Sequence, residues 1–273
     1  MDYGPSKSDQ KHALIYFARS GYAARGAVYL LVGGLATLAV FGPGGQTEGS
    51  RGALQWVLGV PLGDVLLAAI AFGLLGYATW RSIQAIKDPD GHGKDAKGIV
   101  IRASMLVSAV THTLLAVFAA SLIFTFESPS GGNGGGGNQG VADWLMAQPF
   151  GRWLVGAAGL ILIGVGLALF VKGWKAKFEK YFDMPADTQT WAYPLCRFGL
   201  AMRGLVFAIV GGFYLLAAYR VNPQQAGGIA EVFSEIREQP FGPWLLAFVA
   251  TGLFAFGVYS VLEAIYRRVD PSA

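Results

Sequence analysis

The chain has 273 residues, 53% of them hydrophobic and 14% charged, with a formal net charge of +4 and a mean hydropathy of +0.45. Soluble domains carry about 25% charged residues, so the balance excludes a soluble globular protein and calls for a membrane protein. A single cysteine, Cys196, excludes an intrachain disulfide.

In chain order, the polar stretch Met1 to Lys11 leads into a full-length apolar span with no short apolar region and cleavage site, so no cleavable signal is expected. Six stretches, 22–41, 63–81, 103–126, 152–171, 198–219 and 243–263, reach the roughly 20 apolar residues needed to cross a bilayer. Seventeen Lys and Arg residues flank these stretches on one side, and only Arg51, Arg152, Arg220 and Arg237 lie on the other. The positive-inside rule therefore puts both termini in the cytoplasm. The same bias accounts for the net charge without a nucleic-acid partner.

The stretches fall into three pairs. The first odd helix opens with Arg-x-Gly-x-x-x-Arg-Gly at Arg19 to Gly26, the third with the same motif at Arg197 to Gly204, and the second answers with Arg102 to Ala109. A small residue (Gly26, Ala109, Gly204) is followed three positions on by Tyr29, His112 or Phe207 and seven on by Gly33, Ala116 or Gly211. Small residues on one face let membrane helices approach closely. Each even helix begins with Pro-x-Gly, at Pro61/Gly63, Pro149/Gly151 and Pro240/Gly242, where proline suits a helix start because its missing N–H has no intrahelical partner there. Apolar residues at helical spacing precede each proline: Leu54, Val57 and Leu58; Val141, Trp144 and Leu145; Ile229, Val232, Phe233 and Ile236. These predict short interfacial helices on the outer side. Gly131 to Gly140 reads as a linker.

The fold class that follows is an all-α membrane protein with six transmembrane helices in three tandem two-helix repeats around a pseudo-threefold axis. Its segments are 1–17 cytoplasmic tail, 18–88 repeat 1, 89–101 loop, 102–182 repeat 2, 183–196 loop, 197–267 repeat 3 and 268–273 tail. The small-residue faces of the odd helices are expected to turn toward the axis. Mitochondrial carriers share the plan, but their Pro-x-acid-x-x-basic gate motifs have no counterpart here, and architecture alone does not make a transporter.

Gly-x-x-Ala-Arg-Gly-x-x-Tyr at Gly21 to Tyr29, Gly-x-x-Met-Arg-Gly-x-x-Phe at Gly199 to Phe207 and the Pro-x-Gly helix starts resemble the bacterial membrane family catalogued as domain-of-unknown-function family 1206. The resemblance covers nearly the whole chain and implies three tandem two-helix units. It brings no activity, substrate or site residue. The middle unit departs from the pattern, with Ser108 for the second Arg, Ala109 for Gly and His112 for the aromatic residue.

Polar residues inside a membrane are costly and are functional candidates by default. Arg25 and Arg203 lie about 9 Å deeper than Arg19 and Arg197 at 1.5 Å rise per residue. Either these arginines snorkel to the headgroups, or together with Arg19, Arg102 and Arg197 they form a cytoplasmic anion or lipid-headgroup site, since a guanidinium suits phosphate. Ser104, Ser108, Thr111 and His112 form a polar stripe on the middle odd helix, leading either to a packed, hydrogen-bonded histidine or to a hydrated route with a titrating one.

No zinc-protease, phosphate-loop or nucleophile-elbow motif occurs. No cofactor, metal or catalytic residue is expected, and the Asp88 to Asp95 loop does not match an EF-hand. Asp64, Glu127 and Glu263 lie near span ends, so no deep carboxylate supports a pump. Two readings follow: a structural or accessory inner-membrane protein whose partners are membrane lipids and other membrane proteins, or a small channel or transporter with a route past the polar stripe.

Overall fold

A computed structural model describes residues 7–41, 49–124 and 142–268. The glycine-rich linker, Glu127 and Val141 lie outside the described residues. Among the described residues eight α-helices organise the fold: α1 Lys7–Phe41, α2 Ser50–Leu58, α3 Gly63–Lys87, α4 Ala96–Phe124, α5 Gly151–Trp174, α6 Ala186–Arg220, α7 Ile229–Glu238 and α8 Gly242–Tyr266. A single helical turn spans 142–146. Among the described residues six helices, α1, α3, α4, α5, α6 and α8, are long and apolar enough to cross a membrane. Helix starts at Lys7, Ala96 and Ala186 make parts of the expected tail 1–17 and of the loops 89–101 and 183–196 helical.

The helices pack in the order α4, α3, α1, α8, α6, α5. Side chains reach across this series: Arg203 of α6 lies over the Tyr29 ring of α1, and Lys172 of α5 donates to the Tyr259 hydroxyl of α8. The series therefore curls into an incomplete ring, with the three repeats around its axis.

Two kinds of seam hold the ring. Between repeats, each odd helix lays its small-residue face on the even helix of a neighbour. A Cβ at Gly33 would stand 2.4 Å from the Phe254 backbone nitrogen, and one at Gly204 would stand 2.5 Å from the Gly166 carbonyl. Ala109 and Ala116, the corresponding residues of α4, are buried where α4 packs on α3. The small faces thus turn to the adjacent even helix and not to the axis, because close backbone approach is what the glycines make possible.

Within a repeat, the second seam joins odd helix to even helix. A Cβ at Gly21 would meet the Tyr77 nitrogen at 2.3 Å, and one at Gly73 would meet the Ala24 Cβ at 2.5 Å. Repeat 3 reproduces this with Gly199 against Phe256 and Gly252 against Met202. The middle repeat has Ser104, Val165, Ile161 and Val107 at the four aligned positions, and α4 and α5 do not pack together. Val107 is 58% and Ile161 60% exposed, whereas Ala24 and Met202 are each 8% exposed. Gly76 meets the Phe17 carbonyl, whereas its counterpart Gly164 has nothing within 4 Å. Losing the glycines removes the close approach, and the ring stays open there.

At the end away from the termini, α2 packs on α1, α3 and α4, with Leu54 and Val57 buried, and α7 packs on α6 and α8 through Val232 and Phe233. Each Pro-x-Gly forms a tight turn, closed by amide bonds from Gly63 to Val60, Gly151 to Gln148 and Gly242 to Gln239. The proline therefore sits in the turn, ahead of the helix. Leu62, Phe150 and Phe241 take left-handed backbone, with φ of 62°, 62° and 60°, a conformation that favours glycine. Their side chains are 76%, 80% and 80% exposed.

Candidate functional site

The even helices carry Gln84, Lys172 and Glu263 at one aligned position near the termini end, and the odd helices carry Arg25, Ser108 and Arg203. Repeat symmetry brings these residues to the same region of the ring, where a charged cluster forms. Arg25 is only 2% exposed. Its Nε donates to the Ser260 hydroxyl at 3.1 Å, while its terminal nitrogens donate to the Tyr77 hydroxyl and the Glu263 carboxylate. Glu263 is equally buried, and its other oxygen accepts from Arg267 at 2.6 Å and from the Tyr259 hydroxyl at 2.9 Å.

The network continues outward. Arg81 donates to the Tyr77 hydroxyl at 2.7 Å and to Gln84 at 3.1 Å; Gln84 donates to Asp90 at 2.6 Å, and Arg267 reaches Asp90 at 3.3 Å. A buried charge is tolerable only when paired and hydrogen-bonded. Here Glu263 and Asp90 supply the carboxylates for Arg25 and Arg267. Arg25 therefore does not snorkel: its fork is committed to protein partners. Glu263, counted along its helix as a span-end residue, is enclosed by α1 and by the segment around Phe178 and Phe182, whose rings stack edge-on against Tyr259.

Arg203 is placed differently. It is 9% exposed, and its Nε has no hydrogen-bond partner. Its guanidinium lies over the rings of Phe256 at 4.2 Å, Tyr29 at 4.9 Å and Phe207 at 5.0 Å. Cation–π contact of this kind contributes about 0.5–2 kcal/mol but leaves the charge unneutralised. Among the described residues Arg203 has neither ion pair nor hydrogen bond.

The remaining candidates do not converge. Arg19 is exposed, Arg102 donates to the Ala85 and Ile86 carbonyls at 2.7 and 2.9 Å, and Arg197 pairs with Glu179 at the surface. The polar stripe divides: the Ser104 hydroxyl turns back to the Ile101 carbonyl at 2.6 Å, and exposed Thr111 turns to the Ser108 carbonyl at 3.0 Å. His112 alone faces inward, with Nδ1 2.7 Å from the Ser108 carbonyl and its ring 4.5 Å from that of Tyr77. The carboxylates of the Asp88 to Asp95 loop also point apart. Asp88 accepts from the His92 and Gly93 amides, which hold its carboxyl below the usual carboxylate range, Asp90 joins the network, and Asp95 accepts from the Gly98 amide.

Comparison with known proteins agrees with the threefold layout. Residues 20–88, 103–176 and 198–267 each match the family described as Domain of Unknown Function (DUF1206). The chain belongs to that family. A relative from Bacillus subtilis (strain 168), "Uncharacterized protein YxxB", is 33% identical over 96% of this chain and 94% of its own length. No solved structure matches.

Reading single motifs hides the cluster's partners. Tyr77, Tyr259, Ser260 and Glu263 belong to no shared signature, and aligning the even helices to one another, where Gln84, Lys172 and Glu263 fall in register, is the signal that finds them.

Proposed function

We propose that this multi-pass membrane protein is a non-enzymatic structural or accessory component of the bacterial cytoplasmic membrane that binds anionic lipids or partner proteins and conducts nothing. The positive-inside bias supports cytoplasmic termini. The observation that carries the reading is the filled cross-section beside the polar stripe. Arg25, Tyr77, Tyr259, Ser260 and Glu263 are hydrogen-bonded to one another, and His112 is packed on Tyr77. A hydrated route past Ser104, Ser108 and His112 would have to break that packing.

Cysteines at positions 104, 108 and 112, introduced one at a time in a Cys196→Ala background, test this in sealed vesicles. Membrane-impermeant thiol reagents should label position 112 from neither side, and the vesicles should show no protein-dependent leak of small ions. Labelling of position 112 from both sides, or a leak that His112→Phe abolishes, would establish the conduit instead.

A further inference from the structure

Helix α5 ends in a sharp reversal. Ala176 takes left-handed backbone with φ of 51°; its amide donates to the Gly173 carbonyl and the Lys177 amide to the Lys172 carbonyl, both at 3.1 Å. This pair of bonds closes a helix end and turns the chain sideways. The turn sends Phe178 into the bundle, where it is fully buried with its ring edge-on to Tyr259. It leaves Lys175 exposed and Trp174 75% exposed on the outside.

A groove lies on that outer side. It has a volume of about 260 Å³ and is lined by Phe170, Val171, Trp174 and Lys175, with no residue of another helix contributing. The Phe170 and Trp174 rings are near-parallel, with planes 11° apart and centroids 6.3 Å apart. The lining is therefore hydrocarbon and aromatic up to its end, where a single ammonium stands.

The other two repeats lack this arrangement. At the positions aligned with Phe170 and Trp174, α3 has Ser82 and Ile86, and α8 has Val261 and Ile265. Neither pair can raise two ring walls, although α3 keeps a lysine, Lys87, aligned with Lys175. A helix end that only anchored itself at the headgroups would need no such walls.

Charge selects the kind of amphiphile. Residues 172–180 carry four lysines against one acid, Glu179, and that acid pairs with Arg197. Lys172 points elsewhere, donating to the Tyr259 hydroxyl at 3.3 Å, so Lys175 is the cation of the groove. Lysines at the membrane surface attract anionic lipids, and a lysine ammonium grips phosphate as a compact point charge.

We propose that the groove at the end of α5 seats an anionic phospholipid, its phosphate on Lys175 and the upper part of an acyl chain against Phe170 and Trp174. The assignment rests on the lipid-binding reading above and names its ligand and anchoring residues.

The test uses the full chain purified in neutral detergent, with intact-complex mass spectrometry and lipid titration as readouts. The probes are phosphatidylglycerol, phosphatidylcholine and inorganic phosphate. Phosphatidylglycerol should be retained in preference to phosphatidylcholine. Lys175→Gln should weaken phosphatidylglycerol binding by about tenfold or more, as expected for losing a charge-assisted contact to phosphate. Trp174→Ala should weaken it to a comparable extent by removing a wall. Lys87→Gln, at the aligned position without a groove, should leave it unchanged. The side chains at 87, 174 and 175 are exposed, so these variants keep the fold.

Equal retention of phosphatidylcholine, unchanged binding in Trp174→Ala, or a loss in Lys87→Gln as large as that in Lys175→Gln overturns the proposal, the last by showing a diffuse surface charge in place of a site. Competition by inorganic phosphate at the same concentrations overturns the lipid source. Vesicles that leak while the Trp174 and Lys175 dependence persists would sink the preceding reading alone, and tight vesicles without that dependence would sink this one alone.

Discussion

Replacing Glu263 by glutamine keeps the shape of the side chain and removes one charge, which isolates the electrostatic role of the carboxylate. Arg25 and Arg267 are 2% and 5% exposed, and both would then face a neutral amide. Breaking a buried ion pair by removing one partner costs about 3–5 kcal/mol. At roughly 2–4 °C per kcal/mol for a chain of this size, the unfolding temperature should fall by about 6–20 °C. The assay is thermal unfolding in detergent, followed by helical circular dichroism and by size-exclusion recovery after heating. A double variant, Arg25→Met with Glu263→Met, should lose less than the sum of its single variants, because apolar residues of similar volume replace a buried pair at little cost. The reasoning fails if Glu263→Gln unfolds within about 1 kcal/mol of the parent, or if the double variant is as unstable as the two singles added together.

The open seam makes opposite predictions for one substitution at two aligned sites. Gly76→Ala places a Cβ 2.6 Å from the Phe17 carbonyl and should destabilise the α1/α3 seam, whereas Gly164→Ala meets nothing within 4 Å and should stabilise by about 0.5–1 kcal/mol through helix propensity; thermal unfolding of the pair checks both signs. Leu62→Gly relieves a left-handed backbone that costs a bulky residue about 1–2 kcal/mol, so it should gain stability in detergent while loosening attachment of that rim to bilayers, read by depth-dependent fluorescence quenching of the neighbouring Trp56. The Asp88 carboxyl titrates lower folded than unfolded, so its contribution to the 88–93 loop is present above the unfolded value and is lost only as pH falls through the lower folded one. Amide exchange at His92 and Gly93 should therefore stay slow through the ordinary aspartate range, and Asp88→Asn should make it fast at neutral pH.

Much of the architecture is legible in the sequence because each repeat states it independently. The spans, the surface helices and the three-repeat layout rest on apolar length and recurrence, and those signals survive any detail of packing. What the glycines contact is not legible in one motif. Gly33 offers the same small face whether it meets the axis or Phe254, and only the tertiary arrangement distinguishes them. Glu263 was hidden for a related reason: distance from a helix end measures depth along the bilayer normal, while this carboxylate is buried sideways by α1 and the Phe178 segment. Arg25 and Arg203 read as equivalents because their motifs match, and their difference lies on other helices, in Ser260, Tyr77 and Glu263 against Leu169, Phe256 and Lys172. The open seam was written more plainly, in Ser104 and Ile161 standing where both other repeats have glycine.

The packing of α1 against α8 has a consequence for biogenesis. Arg25 is made and inserted early, and its carboxylate partner follows 238 residues later. Until the final span leaves the ribosome, the first one carries a cation with no counter-charge in the nascent protein. The ion pair that settles the first helix therefore forms only once the last helix is in place.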